Sequence, residues 1–403
     1  MKQILNNLGR MPIFKMSLGS KELFHSNVLE FLWEIDNDMF IRIVNSLLSK
    51  SHKKGLVTGL GAPKYELSRE KENFDICIFH NEVIANRDRI VYDLVIENKV
   101  KSMPRKGQLN DYVSKISKNG YSGGCRYLLL SLATRFPDEK DIKKTWAVAN
   151  YLDLKNSIEN QNNCWPQGKT YGYIKDYCEF IGEMHNLQNA ILHGFSNSYL
   201  FQDVELELCK NYRLHDLYIK LRCDKFLTLL EGKLKTLNVG LPITFITKYN
   251  EIIKKGIYLN TSINQGVGQA AAFIHLHDGQ PVNNYEIVIQ GKQYRHGINS
   301  KKGTAQNNVR AQEQIWNAIG HKAQDFLCFK IYHPALYHGQ MVLPDKCKTV
   351  KNVTRTVPLN GYDTTCIYKH IDIIEKTPVR DLLAHMADDI IQTIKTFANT
   401  AQP

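Results

Sequence analysis

The chain has 403 residues, 43% of them hydrophobic and 23% charged, a balance that excludes a disordered chain and suits two domains of ~100–200 residues each. No apolar run approaches the ~20 residues needed to cross a bilayer, and nine cysteines with no CxxC pair speak against a zinc ribbon or disulfide framework and for a reducing cytoplasm. The formal net charge of +12 points to a polyanionic partner. The start, MKQILNNLGRMPIFK, has neither the continuous apolar core nor the small-residue cleavage site of a secretion signal, so a cytoplasmic protein with no membrane association is expected.

Segment 18–34, LGSKELFHSNVLEFLWE, predicts a helix capped by Ser20, with His25, Leu29 and Leu32 at i, i+4, i+7 on one face. Three strand-like runs follow at Ala62–Arg69, Phe74–Phe79 and Ile90–Val100, rich in β-branched and aromatic residues. Pro104 and Gly107 punctuate a turn into a helix over 107–118, whose Leu109, Tyr112, Val113 and Ile116 share one face. Arg126–Leu132 (RYLLLSL) is a continuous apolar run that reads as a strand buried on both faces, and Trp146–Tyr151 as a further strand. Helix, three strands, helix, strand is the order of a mixed sheet flanked by helices, an α/β fold. From residue 171 to 235 the periodicity is helical. Beyond Val239 the runs ITFITKY, GIYLNTSI, AAFIHLH, YEIVIQG and FLCFKIY read as strands, and a closing helix is expected over Val379–Thr396 after Pro378. The expected division is therefore 1–237, including a helical extension 171–235, and a basic mixed α+β C-terminal domain 238–403.

The strongest chemical constellation lies in the first third. On the strand Ile90–Val100, Glu97 and Lys99 are two apart and share a face, while Ile96 and Asn98 point the other way. Asp93, four residues before Glu97, lies on the same face and is a further candidate ligand. The neighbouring run Phe74–Phe79 offers Asp75 at its start. One carboxylate from each of two adjacent strands, with a lysine beside one of them, suits metal-assisted phosphodiester hydrolysis, in which hard oxygen ligands hold Mg²⁺ and the lysine orients the attacking water. Acid-x-Lys triplets also occur at Asp138, Asp141, Asp153 and Glu231. Glu97 differs from these in ending an otherwise apolar strand, where an unpaired charge is costly.

These residues resemble the PD-(D/E)XK nuclease superfamily, and most closely its RecB-like and lambda-exonuclease-like branch. The resemblance rests on FDICI around Asp75, VIENK with Glu97 and Lys99, the QxxxY pattern of Gln108 and Tyr112 in QLNDY, and the opening helix KELFHSNVLEFL. It covers roughly residues 15–150. It implies a restriction-endonuclease-like core, with Asp75, Glu97 and the main-chain carbonyl of Asn98 as Mg²⁺ ligands and Mn²⁺ as a substitute. Lys99 would position the nucleophilic water, Gln108 and Tyr112 would support the site or contact substrate, and Glu22 or His25 would supply the extra acid or histidine of the first helix. Phe74 stands where the motif has proline, and the long interval from Asp75 to Glu97 implies an extended hairpin. The expected function is a Mg²⁺-dependent, DNA-cleaving nuclease, with restriction or phage defence as its setting by association. Two other readings stay open: a non-catalytic nucleic-acid-binding or regulatory protein that keeps the nuclease fold, and an effector nuclease activated by a ligand of its C-terminal domain. A homo-oligomer is compatible with all of these.

The positive charge is concentrated. Between Ile287 and Thr356 eleven lysines and arginines face three acidic residues, a surplus of eight, and Lys301, Lys302 and Lys322 within this stretch are the expected phosphate contacts. Each such contact displaces condensed counterions, so affinity falls by roughly one log unit per log unit of salt per contact. Replacing Lys301, Lys302 and Lys322 by Glu should weaken nucleic-acid binding and flatten the dependence of log Kd on log salt. Unchanged affinity and slope in a salt titration would remove this stretch from the binding surface.

Overall fold

The structure, a computed structural model, describes residues 1–18, 21–84, 87–100, 108–118, 124–132, 139–161, 168–246, 252, 254–264, 267–276, 284–291, 293–299, 353–355, 366–372 and 377–397. Five strands, β1 (Glu66–Arg69), β2 (Ile76–Ile84), β3 (Arg87–Lys99), β4 (Arg126–Ser131) and β5 (Trp146–Ala149), form one sheet in sequence order. β1, β2 and β3 run antiparallel, whereas β3, β4 and β5 are parallel. Parallel neighbours need a crossover, and α5 (Gln108–Lys118) and α6 (Glu139–Thr145) lie in these two connections. Ahead of the sheet come α1 (Lys2–Arg10), α2 (Pro12–Ser17), α3 (Lys21–Ile35) and α4 (Asn37–Lys50). Asp36 caps α4 by accepting from Met39 N at 2.9 Å. The sheet with its helices is the mixed α/β architecture that the residue pattern predicts.

Side-chain alternation fixes what each face meets. Val95, Tyr127, Leu129 and Trp146 are packed with Leu109 and Ile116 of α5 and with Phe74, Cys77 and Phe79. The alternate residues Leu94, Ile96, Leu128 and Leu130 are equally buried, so β4 is apolar on both faces, as a central parallel strand must be. α3 touches β3, and α4 touches β5. The hairpin is longer than the two apolar runs alone, because β2 and β3 continue through the polar HNEV and RDR segments to the pair Ile84↔Arg87. Its register shifts at Ile78/Phe79: Leu94 pairs with Ile78 and Tyr92 with Phe79, leaving Asp93 as an extra residue, a β-bulge.

The chain forms two compact units, one of residues 1–191 with 207–215 and another of residues 192–206 with 216–403. After α7 (Tyr151–Glu159) come two long helices, α8 (Lys169–Leu192) and α10 (His215–Thr236), with the short α9 (Asp203–Asn211) between them. From Asp216 onward α10 belongs to the second unit, whereas the sequence pattern groups it with the first. Its buried Arg222 explains this placement: the guanidinium donates to Leu200 O at 2.8 Å, to Ser198 Oγ at 2.6 Å and to Tyr199 O, and lies over the Phe195 ring. The second unit also holds seven strands, β6 (Ile243–Phe245), β7 (Gly256–Asn264), β8 (Val267–His275), β9 (Asn284–Gln290), β10 (Gln293–Asn299), β11 (Val353–Arg355) and β12 (Cys366–Asp372), in the order β11-β12-β10-β9-β8-β7-β6. β6 and β7 are parallel and the other pairs antiparallel. α11 (Val379–Phe397) packs on β8 and β9. The run FLCFKIY and residues Lys301, Lys302 and Lys322 lie outside the described residues. Among those described, no helix is long and apolar enough to cross a membrane.

Leu129 is fully buried on β4, between β3 and β5 of the first sheet. Leu129→Ala should therefore cost about 2–5 kcal/mol, while Val83→Ala, at a position 70% exposed on the hairpin, should change stability by less than about 0.5 kcal/mol. Denaturant unfolding of both variants, followed by a probe in the first unit, checks this contrast.

Candidate active site

The sheet register brings the first-third residues together. Ile76 pairs with Ile96, so Asp75, one residue earlier, sits opposite Glu97, and directly opposed side chains of an antiparallel pair share a face. Asp75 Oδ2 accepts the N–H of Asn98 at 2.7 Å, which holds the start of β2 against the end of β3. Glu97 is fully buried and is matched by two donors: Lys99 Nζ lies 2.6 Å from its Oε1, and Gln108 Nε2 donates to the same oxygen at 2.8 Å. A buried carboxylate without such partners would be strongly unfavourable.

The first turn of α5 completes this arrangement. Gln108 and Tyr112 are four residues apart and on one face, and Gln108 Nε2 also donates to Tyr112 Oη at 3.0 Å. The Tyr112 hydroxyl donates onward to Asn73 O at 3.0 Å. Burial raises the Tyr112 pKa above the ordinary phenol value, and the neighbouring Glu97 raises it further, so the hydroxyl stays protonated as a donor.

Asn73 belongs to a constrained turn. Glu70, Glu72 and Asn73 have φ of 55°, 58° and 66°, a left-handed conformation costing side-chain-bearing residues about 1–3 kcal/mol each. Lys115 reinforces the turn by donating to Glu72 O at 2.7 Å and pairing with the Glu72 carboxylate at 2.7 Å. Phe74, in the place of the motif's proline, is buried with its ring edge-on to Tyr112 at 5.1 Å. α5 thus fixes the turn that delivers Asp75. Sequence reasoning missed Lys115, although its i+7 spacing from Gln108 and i+3 spacing from Tyr112 put it on the same helix face.

Two expected members are placed differently. Asp93 does not join Asp75 and Glu97 in a ligand cluster; as the bulged residue it pairs with His80, Nδ1 to Oδ2 at 2.6 Å, and burial raises its pKa against the lowering effect of that bond. The unbroken alternation assumed for β3 fails at this bulge. His25 is 2% exposed and bonded to Tyr177 Oη at 2.9 Å, inside a ring cluster with Phe24, Tyr151 and Phe180. Burial lowers its pKa to about 3, so it is a neutral core histidine. The side chain of Glu22 lies outside the described residues.

Among the described residues no group of three or more His, Cys, Asp and Glu side chains gathers into a metal-binding cluster. The donors that do meet, Asp75 and Glu97, are hard oxygens on rigid strands, and two carboxylates supplemented by a main-chain carbonyl suit Mg²⁺ or Mn²⁺ better than a soft, thiolate-loving metal. The residues present fit such a cation.

Two carboxylates and a lysine thus lie at one end of the adjacent inner strands β2 and β3. Residues 13–179, the part of the chain that contains these residues, match the family model of the PD-(D/E)XK nuclease superfamily. No curated protein and no solved structure matches the chain. Nucleases of this superfamily generally depend on a divalent metal, and their substrate is nucleic acid.

The lowered pKa of His25 generates a pH dependence. Unfolded, this histidine protonates near 6.5; folded, it does not do so until about pH 3. Below pH 6.5 the unfolded state binds the additional proton, so stability falls as the pH drops, by up to about 1.4 kcal/mol per pH unit from this group. His25→Gln should flatten the stability profile between pH 6.5 and 5, where carboxylates contribute little. Parallel wild-type and variant curves in denaturant unfolding would contradict the buried neutral state.

Proposed function

We propose that the first unit is a divalent-cation-dependent phosphodiesterase that cleaves DNA. The observation carrying this reading is the meeting of Asp75, Glu97 and Lys99 at one end of adjacent strands β2 and β3, with Glu97 bonded to both Lys99 and Gln108, inside the matched segment. In this reading Asp75, Glu97 and the main-chain carbonyl of Asn98 hold Mg²⁺, or Mn²⁺ in its place. A bound cation lowers the pKa of an attacking water and offsets charge on the phosphate. The chain's own residues set the geometry. The Asn98 N–H aims the Asp75 carboxylate, and Gln108 fixes the Glu97 carboxylate. Lys99 is close enough to Glu97 to orient a water between that carboxylate and the phosphorus, and holding the water is a sufficient role for the lysine. Gln108 and Tyr112 support placement in the QxxxY branch. The basic surplus of the C-terminal part supports a nucleic-acid substrate, and the choice of DNA follows the resemblance to the RecB-like and lambda-exonuclease-like branch. A role in restriction or phage defence belongs to the same proposal as its least direct element.

Metal and lysine separate in experiment. Mg²⁺ or Mn²⁺ should raise the Tm of the wild type, because a cation held by two carboxylates binds only the folded chain, and Asp75→Asn or Glu97→Gln should reduce that rise. Lys99→Ala should lower kcat on linear or closed-circular DNA by about a hundredfold or more, with Kd for DNA unchanged. Equal cation-induced stabilisation in wild type and both carboxylate variants, or an unimpaired kcat in Lys99→Ala, would overturn the assignment.

A further inference from the structure

Asn98 stands between Glu97 and Lys99, but its side chain points to the opposite face of the sheet. There it is fully buried. Its Nδ2 donates to Ser26 Oγ on α3 at 3.3 Å, and the Tyr151 hydroxyl at the start of α7 donates to its Oδ1. Tyr151 and Ser26 are themselves 1% and 4% exposed. The His25 ring lies against Tyr151, with centroids 4.6 Å apart, and is held in turn by Tyr177. On the other side of the same residue, the Asn98 N–H holds Asp75 Oδ2 at 2.7 Å. One residue is thus tied through its backbone to a carboxylate at the front of the sheet and through its side chain to two helices at the back.

We propose that the Asn98 side chain is a positioning residue for phosphodiester hydrolysis. Its amide, anchored by Ser26 and Tyr151, fixes the peptide plane whose N–H aims Asp75 and with it the strand end from whose front face Glu97 and Lys99 both project. This rests on the phosphodiesterase reading but adds a side chain that touches neither substrate nor cation. The chemistry of the site selects an amide. As placed, Ser26 Oγ accepts and Tyr151 Oη donates, and an amide supplies the matching donor and acceptor at one position; an aliphatic side chain of equal volume leaves both hydroxyls buried without Asn98, and an aspartate removes the donor and introduces a charge. The same network gives α3 its part in the site. Its Ser26 and His25 act from behind the strand, through Asn98 and Tyr151.

The test uses the full chain with Tyr151→Phe, which removes one hydroxyl, and Asn98→Leu, which removes the amide. Three quantities are measured below the melting transition: kcat and KM for cleavage of linear DNA, the Mg²⁺ or Mn²⁺ concentration giving half-maximal activity, and the concentration giving half of the cation-induced rise in Tm. The expected result for Tyr151→Phe is a Tm lower by a few degrees, KM within twofold of wild type, kcat reduced about tenfold and both cation midpoints raised several-fold. Asn98→Leu should do the same more strongly; if it does not fold, Tyr151→Phe decides alone. A lower Tm with kcat and both midpoints unchanged would make the network a packing feature and overturn the proposal. If the wild type binds the cation without cleaving DNA, the phosphodiesterase reading fails by itself and the thermal midpoint of Tyr151→Phe still decides whether Asn98 positions Asp75. If the wild type shows no cation-induced stabilisation, there is no site to position and both fall.

Discussion

The structure of the first unit turns on how a buried glutamate is kept at the end of an apolar strand. Glu97 is fully enclosed, yet it keeps a lysine at 2.6 Å and an amide donor at 2.8 Å. A buried pair of this kind contributes little net stability, because desolvation offsets the Coulombic gain, whereas removing either partner is expensive. The arrangement is therefore better understood as a constraint on architecture than as a source of stability. Gln108 must start a helix directly over the strand, and Lys99 must lie two residues beyond Glu97 on the same face. The neighbouring strand must begin opposite, so that Asp75 is near. Every element from β2 to α5 is arranged around these requirements.

The cost of these requirements is visible in the backbone. Three side-chain-bearing residues within four positions adopt left-handed conformations just before Asp75, and α5 holds two of their carbonyls with Tyr112 and Lys115. Strain of this sort persists only where surrounding contacts over-determine it. Front and back of β3 are treated alike in this respect. In front, α5 sets Glu97 and the turn leading to Asp75; behind, α3 and α7 hold Asn98. A strand with both faces fixed in this way has little freedom to move its carboxylates, which is what a preorganised site requires.

The pairings within the candidate site were legible in the sequence because period-two alternation and i, i+4 spacing are local rules. Glu97 with Lys99, and Gln108 with Tyr112, could be placed on common faces from numbering alone, and the apolar run at Leu128–Leu130 identified a strand buried on both faces. The failures came where a local rule was interrupted or where partners were distant in sequence. A single bulge removed Asp93 from the face that parity assigned to it. His25 looked chemically available on its helix, and only the meeting of α3, α7 and α8 shows it enclosed by Tyr151, Tyr177 and Phe180. The placement of α10 depended on Arg222 finding the carbonyls of Tyr199 and Leu200 about twenty residues earlier, an interaction that helical periodicity does not encode.

The pKa shifts narrow the roles that the first unit's polar residues can take. Tyr112 is held protonated by burial and by the nearby Glu97 charge, and its proton is committed to the Asn73 carbonyl, so it serves as a donor that shapes the turn and not as a base. His25, neutral down to about pH 3, is not an imidazolium acid at neutral pH and lies on the Asn98 side of β3. Asp93 shares its environment with His80 at the bulge. What these assignments leave for the handling of a water at the Asp75–Glu97 edge is Lys99, the ammonium at 2.6 Å from Glu97. The proposed chemistry thus depends on one lysine beside a buried carboxylate, and the tyrosine, glutamine and asparagine around it serve to hold the two where a phosphodiester can meet them.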